Sequence, residues 1–175
     1  MRVRQASGDD HRSYLQFSVT GLGGTVTNAK LRLFAYDGTD SGGTAYSVTT
    51  GWTESGTGSI TWNNAPPLGA SLGSVGNVPI NTWAEYDVSD AVAGNGTFAF
   101  AVANVSTDSP YFRSRESTAS PQNKPELRIE TVGGFVLARV DAGSAAGGKG
   151  PGVRPVDPRS GVGRIDAGLW WLWGR

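Results

Sequence analysis

The chain contains no cysteine. Disulfides, thiolate catalysis and cysteine-ligated zinc are excluded together, while compartment stays open, because many exported bacterial proteins also lack disulfides. His11 is the single histidine among 175 residues, so there is no histidine cluster for a metal and no basis for a Ser-His-Asp triad. Net charge is zero, and the whole molecule has no field to draw it to nucleic acid or to an anionic membrane. No apolar run approaches the ~20 residues of a membrane helix. Met1-Arg2-Val3-Arg4 leads into a polar turn and does not read as an export signal. Helical periodicity is missing beyond about one turn.

What the chain does have is alternation. In Tyr14-Leu15-Gln16-Phe17-Ser18-Val19, Leu15, Phe17 and Val19 share one face, the period-2 pattern of a half-buried strand. Ala29 to Tyr36 repeats it, with Leu31, Leu33 and Ala35 inward. Thr44 to Val48, Thr82 to Val88, Tyr111 to Glu116 and Glu126 to Glu130 read as further strands. Thr97 to Ala103 alternates large with small residues, which suits one face in a sandwich core and the other under close cover. Gly23-Gly24, Asp37-Gly38, Gly42-Gly43 and Asn95-Gly96 punctuate the series. Ser89 to Val92 reads as one helical turn opened by a Ser or Asp cap. Strands recurring every ~10–15 residues predict an all-β fold, an antiparallel β-sandwich of jelly-roll type.

Two tryptophans punctuate the middle of the chain, in Trp52-Thr53-Glu54 and in Ile60-Thr61-Trp62-Asn63-Asn64-Ala65-Pro66. Asn-Asn-x-Pro stops a regular element and turns the chain, so Trp52 and Trp62 are expected at a corner or in the core.

Composition shifts near residue 131. Residues 1–130 carry nine Lys/Arg against twelve Asp/Glu, and residues 131–175 carry six against three with 11 of the 26 glycines. The second segment buries too little apolar surface to offset its ordering entropy. It reads as a Gly/Pro-rich, disordered C-terminal tail, a linker or a shifted reading frame, after a domain spanning 1–130. Leu169-Trp170-Trp171-Leu172-Trp173 is the exception, an apolar cluster that should leave water if a groove is available.

The motifs form an ordered set. Tyr14-Leu15-Gln16-Phe17 precedes Gly21-Leu22-Gly23-Gly24-Thr25-Val26 and Ala29-Lys30-Leu31-Arg32-Leu33. Then come the two tryptophan motifs, Trp83-x-Glu85-x-Asp87-Val88, Asn95-Gly96-Thr97-Phe98, Ser114-Arg115-Glu116 and Pro125-Glu126-Leu127. From residue 2 to about 130 this order resembles the DNRLRE domain, also classed as carbohydrate-binding module family 96, which includes alginate binders. The resemblance implies a jelly-roll module of secreted bacterial polysaccharide-degrading or surface proteins, beside a catalytic or surface domain. It also implies a strand before Arg2-Val3-Arg4, so the chain reads as truncated at its N-terminus. A sandwich short of one strand exposes an edge. Gly134 to Val140 has the β-branched and aromatic character to fill that place.

Arg2, Arg4, Arg12, Arg32, Arg113 and Arg115 are the candidate glycan-binding cations. A planar guanidinium makes paired, charge-assisted hydrogen bonds to a uronate carboxylate. Arg2 and Arg4 share a strand face, as do Arg113 and Arg115. Four guanidiniums would line one patch if those strands were neighbours. Solvated strand faces or internal ion pairs account for the same residues, and for Arg115 an internal pair with Glu116 or Glu54 is the first expectation. Tyr14 and Tyr111 are the candidates for stacking on sugar rings, weighed with Tyr36, Trp52 and Trp83. His11 reads as solvated. No spacing among Glu54, Glu85, Asp87, Asp90 and Glu116 gives the carboxylate pair of a glycoside hydrolase. No cofactor is expected; Asp37-Gly38-Thr39-Asp40 is the one loop with the character of a structural calcium site.

The function expected is non-catalytic attachment of a secreted or cell-surface parent protein to polysaccharide, with acidic, alginate-like polymers in view. The alternatives are a spacer or adhesion domain without glycan affinity, and a jelly-roll polysaccharide lyase. Nucleic acid and membrane insertion are not expected.

Overall fold

The computed structural model describes residues 1–139 and 167–173. The expected disordered tail spans residues 131–175; 140–166 and 174–175 lie outside the described residues, but Gly134–Arg139 and Ala167–Trp173 are strands, which corrects that expectation for them. The strands are β1 (His11–Val19), β2 (Val26–Asp37), β3 (Gly43–Val48), β4 (Ser71–Val75) and β5 (Thr82–Asp87), then β6 (Gly96–Ala103), β7 (Tyr111–Phe112), β8 (Glu126–Thr131), β9 (Gly134–Arg139) and β10 (Ala167–Trp173). They form two antiparallel sheets. The front sheet runs β5-β2-β8-β9, with β7 also paired to β2. The back sheet runs β10-β1-β6-β3-β4. The chain crosses between sheets at β1–β2, β2–β3, β4–β5, β5–β6, β6–β7 and β9–β10, the alternation of a jelly roll. No helix among the described residues is long and apolar enough to cross a membrane.

The pleat explains the core. Leu15, Phe17 and Val19 of β1 with Phe100 and Val102 of β6 face Leu31, Leu33 and Ala35 of β2. Tyr86, Phe112, Leu127 and Ile129 complete the layer, all fully buried. The Tyr86 hydroxyl donates to the Gly42 carbonyl at 2.8 Å, which satisfies a polar group that burial would otherwise leave unpaired.

The outermost place of the front sheet is shared. β9 pairs antiparallel with β8, from Thr131↔Gly134 to Glu126↔Arg139. Beside it, Arg2 bridges to Tyr111, and the Phe112 amide donates to the Met1 carbonyl at 2.8 Å. Gly134 to Arg139 thus fills an edge position, as its composition anticipates. β10 pairs with β1, His11 opposite Trp173 and Phe17 opposite Ala167.

A second, smaller cluster lies on the outer face of the back sheet. Tyr14, Ile60 and Ala101 are buried there, with Trp52, Trp62 and Leu68 packed against them. The loop between β3 and β4 makes this cover. Asn64 fixes its turn: its Oδ1 accepts from the Thr61 amide and hydroxyl, and its Nδ2 donates to the Ser59 carbonyl at 3.0 Å. Trp52 and Trp62 are thus corner residues that roof a sheet. The small residues of β6 make room for them, as its large–small alternation implies; Ala99 and Ala101 are buried.

Two further expectations are corrected. Tyr14 is not a surface residue: it is fully buried, donates to the Pro66 carbonyl at 3.1 Å and meets the Trp52 ring edge-on at 6.4 Å. The polar phase of β1 faces the loop instead of water. His11 is buried rather than solvated, with Nε2 2.9 Å from an Asp9 carboxylate oxygen. Strand β4 was not legible in Ser-Leu-Gly-Ser-Val. It lies against β5, and a Cβ on Gly73 would sit 2.7 Å from the Asp87 backbone nitrogen and oxygen. The expected turn after β5 is a 3-10 turn over Ser89–Ala91, and no side chain caps it.

Two stability tests follow from this packing. Tyr14→Ala should cost ~3–5 kcal/mol, the range for removing a buried aromatic, whereas Tyr14→Phe should cost ~1 kcal/mol for its one hydrogen bond; urea unfolding measures both. Gly73→Ala should cost ~1–3 kcal/mol through overpacking. Gly76→Ala, with open space at its Cβ, should be near neutral in the same assay.

Candidate functional site

Strand β2 is paired on both sides, so Lys30 and Arg32 meet cross-strand neighbours from two directions, Phe34 meets Trp83 on one side, and Tyr36 lies at the irregularity where β2 pairs with β7. Lys30, Arg32, Phe34 and Tyr36 are outward, because Leu31, Leu33 and Ala35 are inward. Three rows result on the outer face of the front sheet.

The first row is Glu85–Arg32–Glu126. Both glutamates stand in register with Arg32. Arg32 donates through Nε to Glu85 at 2.8 Å and through Nη1 to Glu126 at 2.7 Å. Lys30 adds a contact to Glu85 at 3.3 Å. Burial alone would raise the Glu85 pKa, but the hydrogen bonds from Lys30 and Arg32 outweigh it and hold the carboxyl below its usual value. Arg32 therefore serves as a structural cation. Its fork is occupied by protein carboxylates, which corrects its reading as a glycan contact.

The second row is Trp83–Phe34–Arg113. Trp83 is opposite Phe34, their rings edge-to-face at 5.4 Å. The Arg113 amide donates to the Phe34 carbonyl at 2.9 Å. The Arg32 guanidinium lies 4.4 Å from the Trp83 ring centre, tying the first row to the second.

The third row is a ladder of cation, ring, ring and cation. The Arg2 guanidinium is 5.4 Å from the Tyr111 ring centre. Tyr111 and Tyr36 are 5.9 Å apart. The Arg113 guanidinium is 4.8 Å from the Tyr36 ring. Tyr36 is 38% exposed, the most open of these rings. Burial and the neighbouring Tyr111 raise its pKa, with Arg113 opposing, so its hydroxyl stays protonated at neutral pH and able to donate. Arg113 makes no ion pair among the described residues, and its Nε lacks an acceptor. Tyr36 and Arg113 also line a cleft of about 400 Å³ walled by residues 114–119.

Of the candidate arginines and tyrosines, this ladder unites Arg2, Tyr111 and Arg113. The expected adjacency of the 2–4 and 111–113 segments is present, but four guanidiniums do not gather. Arg4 turns to the Asp9 carboxylate and to the Thr107 carbonyl at 3.1 Å. Arg115 pairs with Glu54 and, at 2.5 Å, with Glu116, the internal pair expected for it; it clamps the tryptophan loop to the segment after β7. Arg12 lies on the opposite sheet, 5.2 Å from the Trp62 ring. Tyr36 joins the ladder beyond the candidate site residues, and the inward phase of Leu31, Leu33 and Ala35 in the sequence already puts it outward.

The Asp37–Asp40 loop is held by hydrogen bonds. Asp108 accepts from the Thr39 hydroxyl at 2.9 Å and from the Asp40 amide at 3.0 Å. Among the described residues no three His, Asp or Glu side chains group as metal ligands.

These features define an antiparallel β-sandwich with tyrosines and arginines in contact on one outer face. The chain belongs to carbohydrate-binding module family 96, whose family model matches residues 1–131. It is similar to a gellan lyase from Bacillus sp, at 34% identity over 149 residues. That match takes in 74% of this chain but spans only 6% of the length of the relative. No solved structure matches the chain.

The carboxylates set the acid response. Glu85 and Glu116 titrate below their usual 4.5, each because bonds from Arg32 or Arg115 and their neighbours outweigh burial. Asp87 and Asp108 titrate below 3.8, held by hydrogen bonds from Ser89 and from the Asp40 and Ser109 amides. Depressed values mean stability that is present above the unfolded pKa and lost as pH falls through the folded one. Burial also lowers the Met1 amine from 8.0 to about 4, so a chain with that amine free gains stability with pH between those values. The urea midpoint should fall continuously from about pH 8 to about pH 3, and N-acetylation should flatten only the upper part. A midpoint that rises on acidification contradicts this.

Proposed function

We propose that this module attaches a longer secreted or surface protein to an acidic polysaccharide, without cleaving it, through the outer face of the front sheet. The observation that carries the reading is the Arg2–Tyr111–Tyr36–Arg113 ladder. Two adjacent rings flanked by guanidiniums suit a polymer that presents both apolar C–H faces and carboxylates. The Tyr36 ring takes a pyranose face. Arg113, unpaired by any acid among the described residues, supplies a fork for a uronate carboxylate. Arg2 is held by Ser109 at 2.5 Å, His11 at 3.1 Å and Asp9 at 3.8 Å, and supports the ladder by its position over Tyr111. Several weak contacts along one polymer then add avidity.

Family membership supports the carbohydrate class, and alginate-like uronates are the first candidates. The similarity to a gellan lyase supports an anionic target and a catalytic neighbour in the parent protein. The acids beside the ladder suit binding without cleavage: Glu85 and Glu126 are engaged by Lys30 and Arg32, and Glu130 by Arg128.

Affinity electrophoresis of the whole chain in alginate, pectate, gellan and a neutral glucan is the test. Retardation by the acidic polymers is expected, with dissociation constants on the order of 10–1000 micromolar, or ~4–7 kcal/mol. Salt should weaken it. Tyr36→Ala and Arg113→Ala should each lower affinity by about tenfold while leaving the melting temperature near that of the parent chain. No retardation in any polymer would favour a spacer domain, and release of unsaturated oligosaccharides would overturn the non-catalytic reading.

A further inference from the structure

The outer face of the back sheet carries a second feature that the ladder does not use. The tryptophan loop roofs only half of this face. It covers Tyr14 and Ala101 and ends at Leu68. Over the other half, Ala103 leaves a depression of about 300 Å³, with Arg12 and Tyr46 among the residues that line it. The small side chain makes the space, since β6 runs between β1 and β3 and a larger residue at 103 would fill it. Leu68 forms a wall on the loop side, and Asn104 and Val105 form a rim.

The chemistry of this depression is specific. Arg12 is held with its guanidinium 5.2 Å from the Trp62 ring, yet makes no ion pair among the described residues. Its donors are thus oriented and unspent. Thr44 and Ser74 contribute a hydroxyl pair 2.8 Å apart. Asp10 accepts from the Ala6 amide at 2.9 Å and has a second oxygen to offer. One cation, one ring and several hydroxyls are the contacts a single uronic acid residue needs. The volume lies at the lower end of small-molecule pockets, ~300–1,000 Å³, and suits about one or two sugar rings rather than a polymer laid across it.

We propose that this pocket is a second carbohydrate site, which takes the terminal uronic acid residue of a polysaccharide chain, with its carboxylate on Arg12 and its ring against Tyr46. The two sites lie on opposite faces of the sandwich, so one module holds the side of one chain and the end of another. The inference shares with the proposed function the choice of an acidic glycan, but not the site.

Isothermal titration of the whole chain with an unsubstituted uronic acid disaccharide, against a neutral disaccharide, tests it. The parent chain should bind the acidic disaccharide and not the neutral one. Arg12→Ala and Tyr46→Ala should weaken that binding, the former at least tenfold, while polymer retention persists. Tyr36→Ala should do the reverse. Should Arg12→Ala fail to fold, amide shifts in the parent chain decide instead: perturbation at Arg12, Tyr46 and Ala103 supports the pocket. Disaccharide binding that is absent, unchanged in Arg12→Ala, or lost only in Tyr36→Ala overturns the pocket. Polymer retention that survives such a result leaves the front-sheet reading standing, and loss of polymer retention alone leaves the pocket standing.

Discussion

Pairing of β2 on both edges sets the character of this molecule. A strand with two neighbours must alternate strictly, and its inward set of Leu31, Leu33 and Ala35 is locked by burial. The outward set then has no freedom in direction. Arg32 and Phe34 meet partners fixed by register, Tyr36 meets the side chains beside the β2–β7 irregularity, and those neighbours set their surroundings. Arg32 falls between two glutamates and becomes a structural cation. Phe34 falls opposite Trp83 and becomes part of a ring pair. Tyr36 falls beside Tyr111 and Arg113 and becomes the centre of an open ladder. An ion-paired cation and an open ring thus sit on one strand face, four residues apart.

The back sheet solves a different problem. Its outer face would expose Tyr14 and a row of alanines, and the tryptophan loop covers most of them. Arg115 anchors that loop from the far side through Glu54. The loop's rigidity therefore depends on an ion pair between segments distant in sequence, and on the Asn64 turn within it. Partial cover creates both the second small core and the depression beyond Leu68. Each sheet offers a solvent face of different shape: rows of rings on the front, a walled pocket on the back.

Much of the fold was legible because its signals are local. Period-2 alternation marked most of the long strands, and Asn-Gly and Gly-Gly turns marked their ends. The large–small alternation of β6 disclosed that both its faces are covered. The edge strand β9 was legible from composition at Gly134 to Val140. What escaped was non-local. Tyr14 looked outward because its partner surface is a loop about fifty residues away in sequence, with Pro66 accepting its hydroxyl. Arg32 looked available because nothing in the chain announces that Glu85 and Glu126 stand on either side of it. β4 escaped because its five residues carry little apolar pattern, and its reason for existing is the close approach of Gly73 to Asp87. Arg115 was the exception, since Glu116 is adjacent in sequence and the ion pair is local. A strand's phase is written in its sequence; the neighbours of its outward residues are written in the register.

The central claim is that acidic polysaccharide is held on the ladder of the front sheet. Arginine side-chain and aromatic NMR of the whole chain, titrated with an oligouronate long enough to span the face, tests it most directly. The account predicts that the Arg113 guanidinium and the Tyr36 and Tyr111 ring signals shift together and saturate at one concentration, while the Arg32 guanidinium, held between two glutamates, stays in place. Shifts at Arg32 with none at Arg113 and Tyr36, or no ring signal moving at saturating ligand, would contradict it.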